Sequence, residues 1–475
     1  MGLQQPSEPA AIGDSARLDL RDADPLVRTT RPGRPQMTPR ARGARRTSPD
    51  PANDRGGAYD DGTRRTEILQ TAATLIASSG LRTSLQEIAD AAGILPGSLY
   101  HHFESKEAIL VELVQRYYAD LDRIGEIAQE KLDKSDSRSA ADKIVDLGSA
   151  IARCAVEHRA ALQMSFYEAP NANSELVELL QNPPTAVQQA MLQTLRAGRW
   201  SGFIRSDIDL PTLADRICQT MMHVGLDIIR HTAGADETAI ILCRIMLHGL
   251  ASRPLSDEEL DRSSAFAAAE AAIKTWADES DVEANDKAAH VRAVARAEFG
   301  RKGYEVTTIR DIASAAGLGT GTVYRLIGSK DELLASIMES FGIKAGGGFA
   351  SVLRTDATAA EKLDALSWVN INALDQFPDE WKIQLAWMRQ SPPDTPNPGL
   401  AFTMRLRQLR TLLSEGIQAG DIRIEDAPSL AMLARCVMDI LWMPENIVRA
   451  QGKHAALIVA RDTVVRGAAE RDAHD

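Results

Sequence analysis

The stretch LQEIADAAGILPGSLYHHFESK, residues 85–106, recurs as IRDIASAAGLGTGTVYRLIGSK at residues 309–330, with a constant offset of 224 residues. Each copy spaces an apolar residue, an alanine, a glycine and a later apolar residue identically: Leu85, Ala89, Gly93 and Leu99, then Ile309, Ala313, Gly317 and Val323. A small alanine lets two helices cross closely, and glycine adopts the positive φ that a tight turn needs. The pattern therefore predicts a helix-turn-helix in each copy.

The repetition extends beyond these two stretches. Ser84 precedes Glu87 by three residues, and Thr308 precedes Asp311 likewise, so a capping box is predicted at both helix starts. A glycine-containing helix end also occurs twice, as Gly198, Gly202 and Arg205 and then as Gly416, Gly420 and Arg423. The whole architecture is therefore expected to be duplicated.

Composition favours an all-α fold without membrane spans. Of the 475 residues, 44% are hydrophobic and only 5% aromatic, and long stretches consist of strong helix formers. Four cysteines lack C-x-x-C spacing, so buried, reduced thiols are expected rather than metal ligands or disulfides: Cys154, Cys218, Cys243 and Cys436. No signal-peptide core or apolar run of about eighteen residues is found, which predicts a cytoplasmic protein.

The sequence predicts six segments. They are a disordered arm (1–60), a first helix-turn-helix domain (61–118), a first helical domain for ligand binding and dimerisation (119–255), a connecting helix over Ser256–Trp276 with an acidic linker (256–284), a second helix-turn-helix domain (285–341), and a second helical domain (342–475). The net charge of −12 is unevenly distributed, because the arm holds seven arginines between residues 26 and 48 and no acid there. Such an arm suits contact with phosphates.

The segments GILPGSLYHHFESKE (93–107) and GLGTGTVYRLIGSKD (317–331) resemble the recognition-helix region of the TetR (tetracycline-repressor) family. The resemblance implies two tandem TetR-like units in one chain, similar to double-TetR repressors of mycobacterial lipid and steroid catabolism. It further implies a transcriptional repressor rather than an enzyme, a double-stranded DNA operator as partner, and no cofactor or metal.

Correspondence with the family motif assigns candidate DNA contacts in both halves. They are Gln86, Pro96, Gly97, Ser98, Tyr100, His101 and Lys106, then Arg310, Thr320, Gly321, Thr322, Tyr324, Arg325 and Lys330. Arginine pairs bidentately with guanine and glutamine with adenine, so the two sets predict an asymmetric operator. Two alternatives stay open: a tyrosine that only packs, and lysines that are simply solvated. The second copy reads Arg-Leu-Ile where the first reads His-His-Phe, so a vestigial second reader is the other possibility.

Large apolar side chains in the helical domains are candidates for an effector site. They are Phe166, Tyr167, Met221 and His223 in the first domain, and Trp368, Trp387, Met388 and Trp442 in the second. A hydrophobic effector is expected, such as an acyl-CoA, a lipid or a steroid derivative. The alternative is that these residues form core or helix interfaces and that the chain is a constitutive or architectural DNA-binding protein without an effector.

The resemblance also bears on assembly. Family members pair through the last two helices of each subunit, which implies that 210–250 and 428–467 pair within this chain. An intramolecular pseudo-dimer is then expected, and a true homodimer with four readers is the competing arrangement.

Overall fold

The computed structural model describes residues 57–133, 137–164, 174–225, 234–278, 287–304, 306–390, 402–423 and 429–471. Within these ranges the regular structure is helical, apart from two isolated bridges. The arginine-rich arm lies outside the described residues. The α-helices are α1 (Gly57–Ser79), α2 (Leu85–Ala91), α3 (Pro96–His102), α4 (Lys106–Asp133), α5 (Ala140–Glu157), α6 (Arg159–Met164), α7 (Ser174–Gln181), α8 (Ala186–Trp200), α9 (Leu210–His223), α10 (Ala235–His248), α11 (Asp257–Asp261), α12 (Ser264–Asp278), α13 (Lys287–Lys302), α14 (Ile309–Ala315), α15 (Thr320–Ile327), α16 (Lys330–Leu353), α17 (Ala359–Gln376), α18 (Pro378–Gln390), α19 (Phe402–Ala419), α20 (Leu430–Ile440), α21 (Glu445–Gln451) and α22 (Lys453–Ala460).

Helices α1–α3 form a first reader, and α13–α15 form a second reader. The predicted capping boxes are both present: the Glu87 amide donates to Ser84 Oγ over 3.2 Å, and the Asp311 amide donates to Thr308 Oγ1 over 3.1 Å. The turn glycines Gly93 and Gly317 both have a φ of +66°. The helix-turn-helix prediction is therefore confirmed in its local geometry in both copies.

Helices α4–α10 form the first body. Helix α4 packs along α8 and α5, and α5 packs in turn on α9 and α10. The predicted glycine-containing end of α8 is confirmed, since Gly202 follows the helix with a φ of +76°. Because α4 runs without a break from the first reader into this body, the expected boundary at residue 118 falls inside a continuous helix.

The second body comprises α11, α12 and α16–α22, and here the structure differs from the expected connecting segment. The predicted single helix breaks after Asp261 because the Ser263 hydroxyl accepts from the Phe266 amide and starts a new helix. Helix α12 then packs along α16 and α17, with the Trp276 indole buried 5.5 Å from the Phe377 ring. The connecting helix is therefore part of the second body.

A buried arginine ties this segment to the body. Arg461 follows α22 and hydrogen bonds with Asp364 on α17, at 3.0 Å, and with Asp261 on α11, at 2.6 Å. Asp257 accepts from the same guanidinium at 3.0 Å. These carboxylates raise the pKa of Arg461 in spite of its burial, so the guanidinium is charged in the folded chain.

The two bodies contact each other through α9 and α10 on one side and α20, α21 and residues 461–469 on the other. Backbone hydrogen bonds across this contact occur in pairs. Within a pair, each residue of the first body is replaced by the residue 218 positions later in the second body, and each residue of the second body by the one 218 positions earlier. The donor and the acceptor therefore change bodies. The pairs are Leu250 N to Val464 O (2.9 Å) with Ala468 N to Met246 O (3.0 Å), Arg423 N to Leu250 O (3.0 Å) with Arg205 N to Ala468 O (3.0 Å), and Ser252 N to Asp421 O (2.9 Å) with Glu470 N to Phe203 O (2.8 Å). Such exchange of roles is the property of a two-fold interface. A pseudo-two-fold axis therefore relates the two bodies at this contact.

Side chains break this symmetry. Arg216 is fully buried and donates to the carbonyls of Ile440 and Trp442, whereas position 434, its counterpart, is an alanine. Burial lowers the pKa of Arg216 to about 9, because the guanidinium loses its hydration. Asn446 also donates to Asp215 across the contact, over 2.5 Å. The two bodies are thus joined by paired backbone bonds and by side-chain contacts that the pseudo-two-fold axis does not repeat.

Candidate DNA-binding surface

The recognition helices α3 and α15 present equivalent ends to solvent. Pro96 is the first residue of α3, and its fixed φ suits that position. Leu99 and Val323 point inward and are fully buried, which leaves the opposite side of each helix exposed. Tyr100 and Tyr324 lie on that side, and each is 55% exposed. The structure therefore brings the predicted tyrosines to matching positions, where each hydroxyl can reach a phosphate.

Glycine in the first turn of each recognition helix has no packing role. A Cβ added to Gly97 or to Gly321 would meet no heavy atom within 4 Å. Glycine inside a helix costs up to about 1 kcal/mol relative to alanine. The open space at these two exposed positions leaves room for close approach by a DNA backbone or base edge.

The other predicted base contacts are placed as follows. Ser98, His101, Arg310, Thr320 and Arg325 are exposed, and Thr322 is half-buried. Gln86 is exposed too, but its side-chain amide donates to Asp90 Oδ1 over 2.9 Å, one turn along α2. A base contact by Gln86 would have to replace or share this bond.

Lys106 and Lys330 have intramolecular contacts that the sequence did not predict. The Lys106 ammonium donates to the Leu81 carbonyl, in the loop between α1 and α2, and its burial lowers the pKa of this lysine. The Lys330 ammonium lies 4.2 Å from the centroid of the Tyr304 ring, at the equivalent loop of the second reader. Both lysines thus fasten that loop to the start of the next long helix. An ammonium has three donors, so this role does not prevent Lys106 from also contacting a phosphate.

The first reader has a support that the second lacks. The Phe103 ring is buried under the Arg65 guanidinium, whose carbon lies 4.1 Å from the ring centroid. Arg65 Nε also donates to Glu112 on α4 over 3.1 Å. The equivalent of Phe103 is Ile327, which is only half-buried. The end of α3 is therefore held more firmly than the end of α15.

Leu95 is a surface residue that sequence reasoning missed. It is the N-cap of α3 and 75% exposed, next to the predicted contact residues. N-caps are usually Ser, Thr, Asp or Asn, so a leucine there was a detectable signal of another role. Its counterpart in the second reader is Gly319, whose added Cβ would meet nothing within 4 Å. The two readers therefore differ at a position where an apolar side chain can meet a thymine methyl group.

Comparison with known proteins identifies the family. The sequence model described as "Bacterial regulatory proteins, tetR family" matches residues 68–113 and 291–337, which cover most of each reader and the first turns of α4 and α16. The "HTH-type transcriptional repressor KstR2" of Rhodococcus jostii (strain RHA1) is 36% identical over 208 residues, which covers 43% of this chain and 98% of that protein. This chain belongs to the TetR family of bacterial regulatory proteins.

A second repressor sequence supports the same membership. The KstR2 repressor of Mycolicibacterium smegmatis is 35% identical over 150 residues, covering 31% of this TetR-family chain and 70% of the relative. Among solved structures, the "ketosteroid transcriptional regulator KstR2 of Mycobacterium tuberculosis" aligns at 25% identity with a TM-score of 0.32, covering 37% of this chain and 89% of that one. The two family matches, with the relatives, make this protein a DNA-binding transcriptional regulator with two readers.

The predicted effector residues fall in three different settings. Phe166 and Tyr167 lie outside the described residues, as do the side chains of Trp387 and Met388. Met221 is fully buried, 4.0 Å from the Cys243 sulfur, in the core of the first body. Trp368 is buried between Phe266 and His454, and its indole donates to Glu270 Oε1 over 2.9 Å. Packing accounts for the positions of Met221 and Trp368.

Two of the predicted effector residues meet at the contact between the bodies. The rings of His223 and Trp442 have centroids 3.8 Å apart, although the residues come from different bodies. Trp442 Nε1 is buried and has no acceptor among the described residues. No local sequence pattern signals that these two tilted rings would meet.

A separate open groove of about 240 Å³ lies in the first body, between α4, α5 and α8. Its walls are apolar and its rim is cationic, and the residues include Ile124, Ala128, Leu132, Leu147, Lys131 and Arg153. None of the predicted effector residues lines it.

In the part of the chain that the structure describes, no cluster of His, Cys, Asp or Glu could hold a metal ion. No helix among those residues is long and apolar enough to cross a membrane.

Proposed function

We propose that this TetR-family regulator binds one asymmetric operator as a single chain and represses transcription until a small hydrophobic effector releases it. Helices α3 and α15 would enter neighbouring major grooves about one helical turn apart, roughly 34–36 Å. The paired backbone hydrogen bonds between the two bodies carry this proposal, because they give one chain the two-fold arrangement that a dimer normally supplies. A monomeric pseudo-dimer is therefore the proposed solution state.

The chemistry of the two readers supports an asymmetric operator. Arg325 and Arg310 in the second reader can each pair with a guanine, whereas His101 and Gln86 occupy those positions in the first reader. Leu95 supplies an apolar contact that Gly319 cannot supply. The half-sites would then differ in base sequence rather than being inverted copies.

The proposed effector is an acyl-CoA, a lipid or a steroid derivative. Support comes from the similarity to proteins named KstR2, one of which is titled a ketosteroid regulator, and from the apolar rings in both bodies. Both long helices α4 and α16 run from a reader into a body, so a shift in a body moves the attached reader. Coupling of this kind is worth about 1–3 kcal/mol in affinity.

Selection of duplexes from a random DNA pool by the full chain tests the proposal. We expect one enriched, non-palindromic site that is protected by a single chain, with light scattering of the complex giving one chain per duplex. Addition of acyl-CoA thioesters or steroids should release the site. A perfect palindrome bound by two chains would contradict the single-chain arrangement. Binding without a preferred site, with a steep loss in salt, would instead indicate the architectural alternative.

A further inference from the structure

Arg405 is a buried cation in the second body, and no described residue gives it an anionic partner. It lies in the first turn of α19 and is 7% exposed. Its guanidinium carbon lies 4.2 Å from the centroid of the Phe349 ring on α16. In the described part of the chain, no atom accepts a hydrogen bond from its buried Nη2 and no carboxylate forms an ion pair with it.

This situation is unlike that of the other deeply buried arginines. Arg461 is paired with aspartates, and Arg216 donates to two carbonyls. For Arg405, burial lowers the pKa to about 10 because the charged form loses hydration, yet the group is still charged at neutral pH. Stacking on an aromatic ring offsets only a part of the cost of burying a charge. A charge in this position calls for an anion that the described residues do not provide.

A second buried donor lies against the same helix. Trp381 Nε1 on α18 also has no acceptor among the described residues, and its ring meets the edge of Phe341 at 6.3 Å. Phe341, Ala345 and Phe349 repeat every four residues on α16 and are all buried, so they form one apolar face. The interior of the second body thus combines an apolar wall with two unsatisfied donors.

We propose that the second body binds an organic monoanion, a carboxylic acid with an apolar body, and that Arg405 pairs with its carboxylate. The planar guanidinium matches a carboxylate in geometry. One negative charge balances the one buried positive charge, whereas a dianionic phosphate would leave excess charge in an apolar interior. The apolar part of the ligand would lie along the face of α16 that ends at Phe349.

The proposal deepens the proposed function, since such an acid would be an effector of the regulator, but the binding itself can be measured without DNA. We would record the thermal unfolding of the full chain with n-alkanoates from butanoate to dodecanoate, each paired with the alcohol of equal length. At least one alkanoate should raise Tm by several degrees in a saturable way, and its alcohol should not. In the Arg405→Met variant that shift should vanish.

The unliganded variant supplies a second, independent readout. Arg405→Met removes an unpaired buried charge at nearly constant volume, so the Tm of the ligand-free variant should exceed that of the native chain. Arg461→Met is the matched control: it removes a buried arginine that is paired, so its Tm should fall. Arg405→Lys keeps the charge but lacks the planar fork, and it should give a smaller alkanoate shift.

Three outcomes would overturn the proposal. They are the absence of any alkanoate shift in the native chain, a shift that persists in Arg405→Met, and a ligand-free Arg405→Met chain that unfolds at a lower temperature. Retention of a selected DNA duplex is measured separately. If the chain binds DNA but no alkanoate, only this inference is contradicted. If it binds an alkanoate but no preferred duplex, only the proposed function is contradicted.

Discussion

Gly249 and Gly467 face each other across the contact between the two bodies, where a Cβ built on Gly249 would lie 2.6 Å from the Gly467 nitrogen. The same Cβ would lie 2.4 Å from the carbonyl carbon of Arg466, and a Cβ on Gly467 would lie 2.3 Å from the carbonyl carbon of His248. Both glycines have positive φ, at +71° and +87°. This pair lets the two main chains cross at the pseudo-two-fold contact.

Alanine at either glycine should therefore destabilise the contact. Gly249→Ala would cost about 1–2 kcal/mol for the left-handed backbone and a further 1–3 kcal/mol or so for the overlap with main-chain atoms. Gly420→Ala is the matched control, because Gly420 has a φ of +80° but open space around its Cβ position. Urea unfolding of the full-length variants measures the difference. Equal losses for Gly249→Ala and Gly420→Ala would contradict the tight crossing.

Gly97→Ala should raise the stability of the chain and lower its affinity for DNA. The added methyl group meets no protein atom, so the free energy of unfolding should rise by up to about 1 kcal/mol. The same methyl group would lie between α3 and the DNA, so affinity for the selected duplex should fall about tenfold or more, which corresponds to roughly 1.4 kcal/mol.

Gly346→Ala is the control for this experiment. Gly346 lies in α16, away from both recognition helices, and its Cβ position is also open. It should gain stability without a loss of affinity. Unchanged affinity in Gly97→Ala, measured by fluorescence anisotropy, would remove α3 from the DNA surface.

The glycines of this chain show which features could be predicted from the sequence alone. The turn glycines Gly93 and Gly317 and the capping box of Ser84 with Glu87 were predictable, because each depends on neighbours within a few residues. The crossing at Gly249 depends on a main chain more than 200 residues away, and no local pattern signals it. For the same reason the Lys106 contact with the Leu81 carbonyl was not predicted, since it depends on where a loop comes to lie.

Leu95 should read a thymine methyl group. Replacing the thymines of the first half-site by deoxyuridine removes only their methyl groups, and at the contacted thymine this should cost the native chain about fourfold in affinity, or ~0.8 kcal/mol for one buried methyl. Leu95→Ala should bind the thymine duplex more weakly and should no longer distinguish the two duplexes. Ile343→Ala, at another exposed apolar residue, should behave like the native chain. Discrimination that survives in Leu95→Ala would assign the methyl contact to another residue.

Replacement of Arg325 tests whether helix α15 of the second reader recognises base sequence. A bidentate arginine–guanine pair is worth about 1–3 kcal/mol in discrimination, so Arg325→Ala should lose roughly fivefold to 150-fold in affinity for the selected duplex and should tolerate any base at that position. His101→Ala, at the equivalent position of the first reader, should lose less, because a single imidazole contact is weaker. The measurement is a repeat of the DNA selection with each variant, followed by a comparison of base preference at every position. If Arg325→Ala selects the same bases as the native chain, the guanidinium of α15 reads no base, and any arginine contact of the second reader with guanine would have to come from Arg310 on α14.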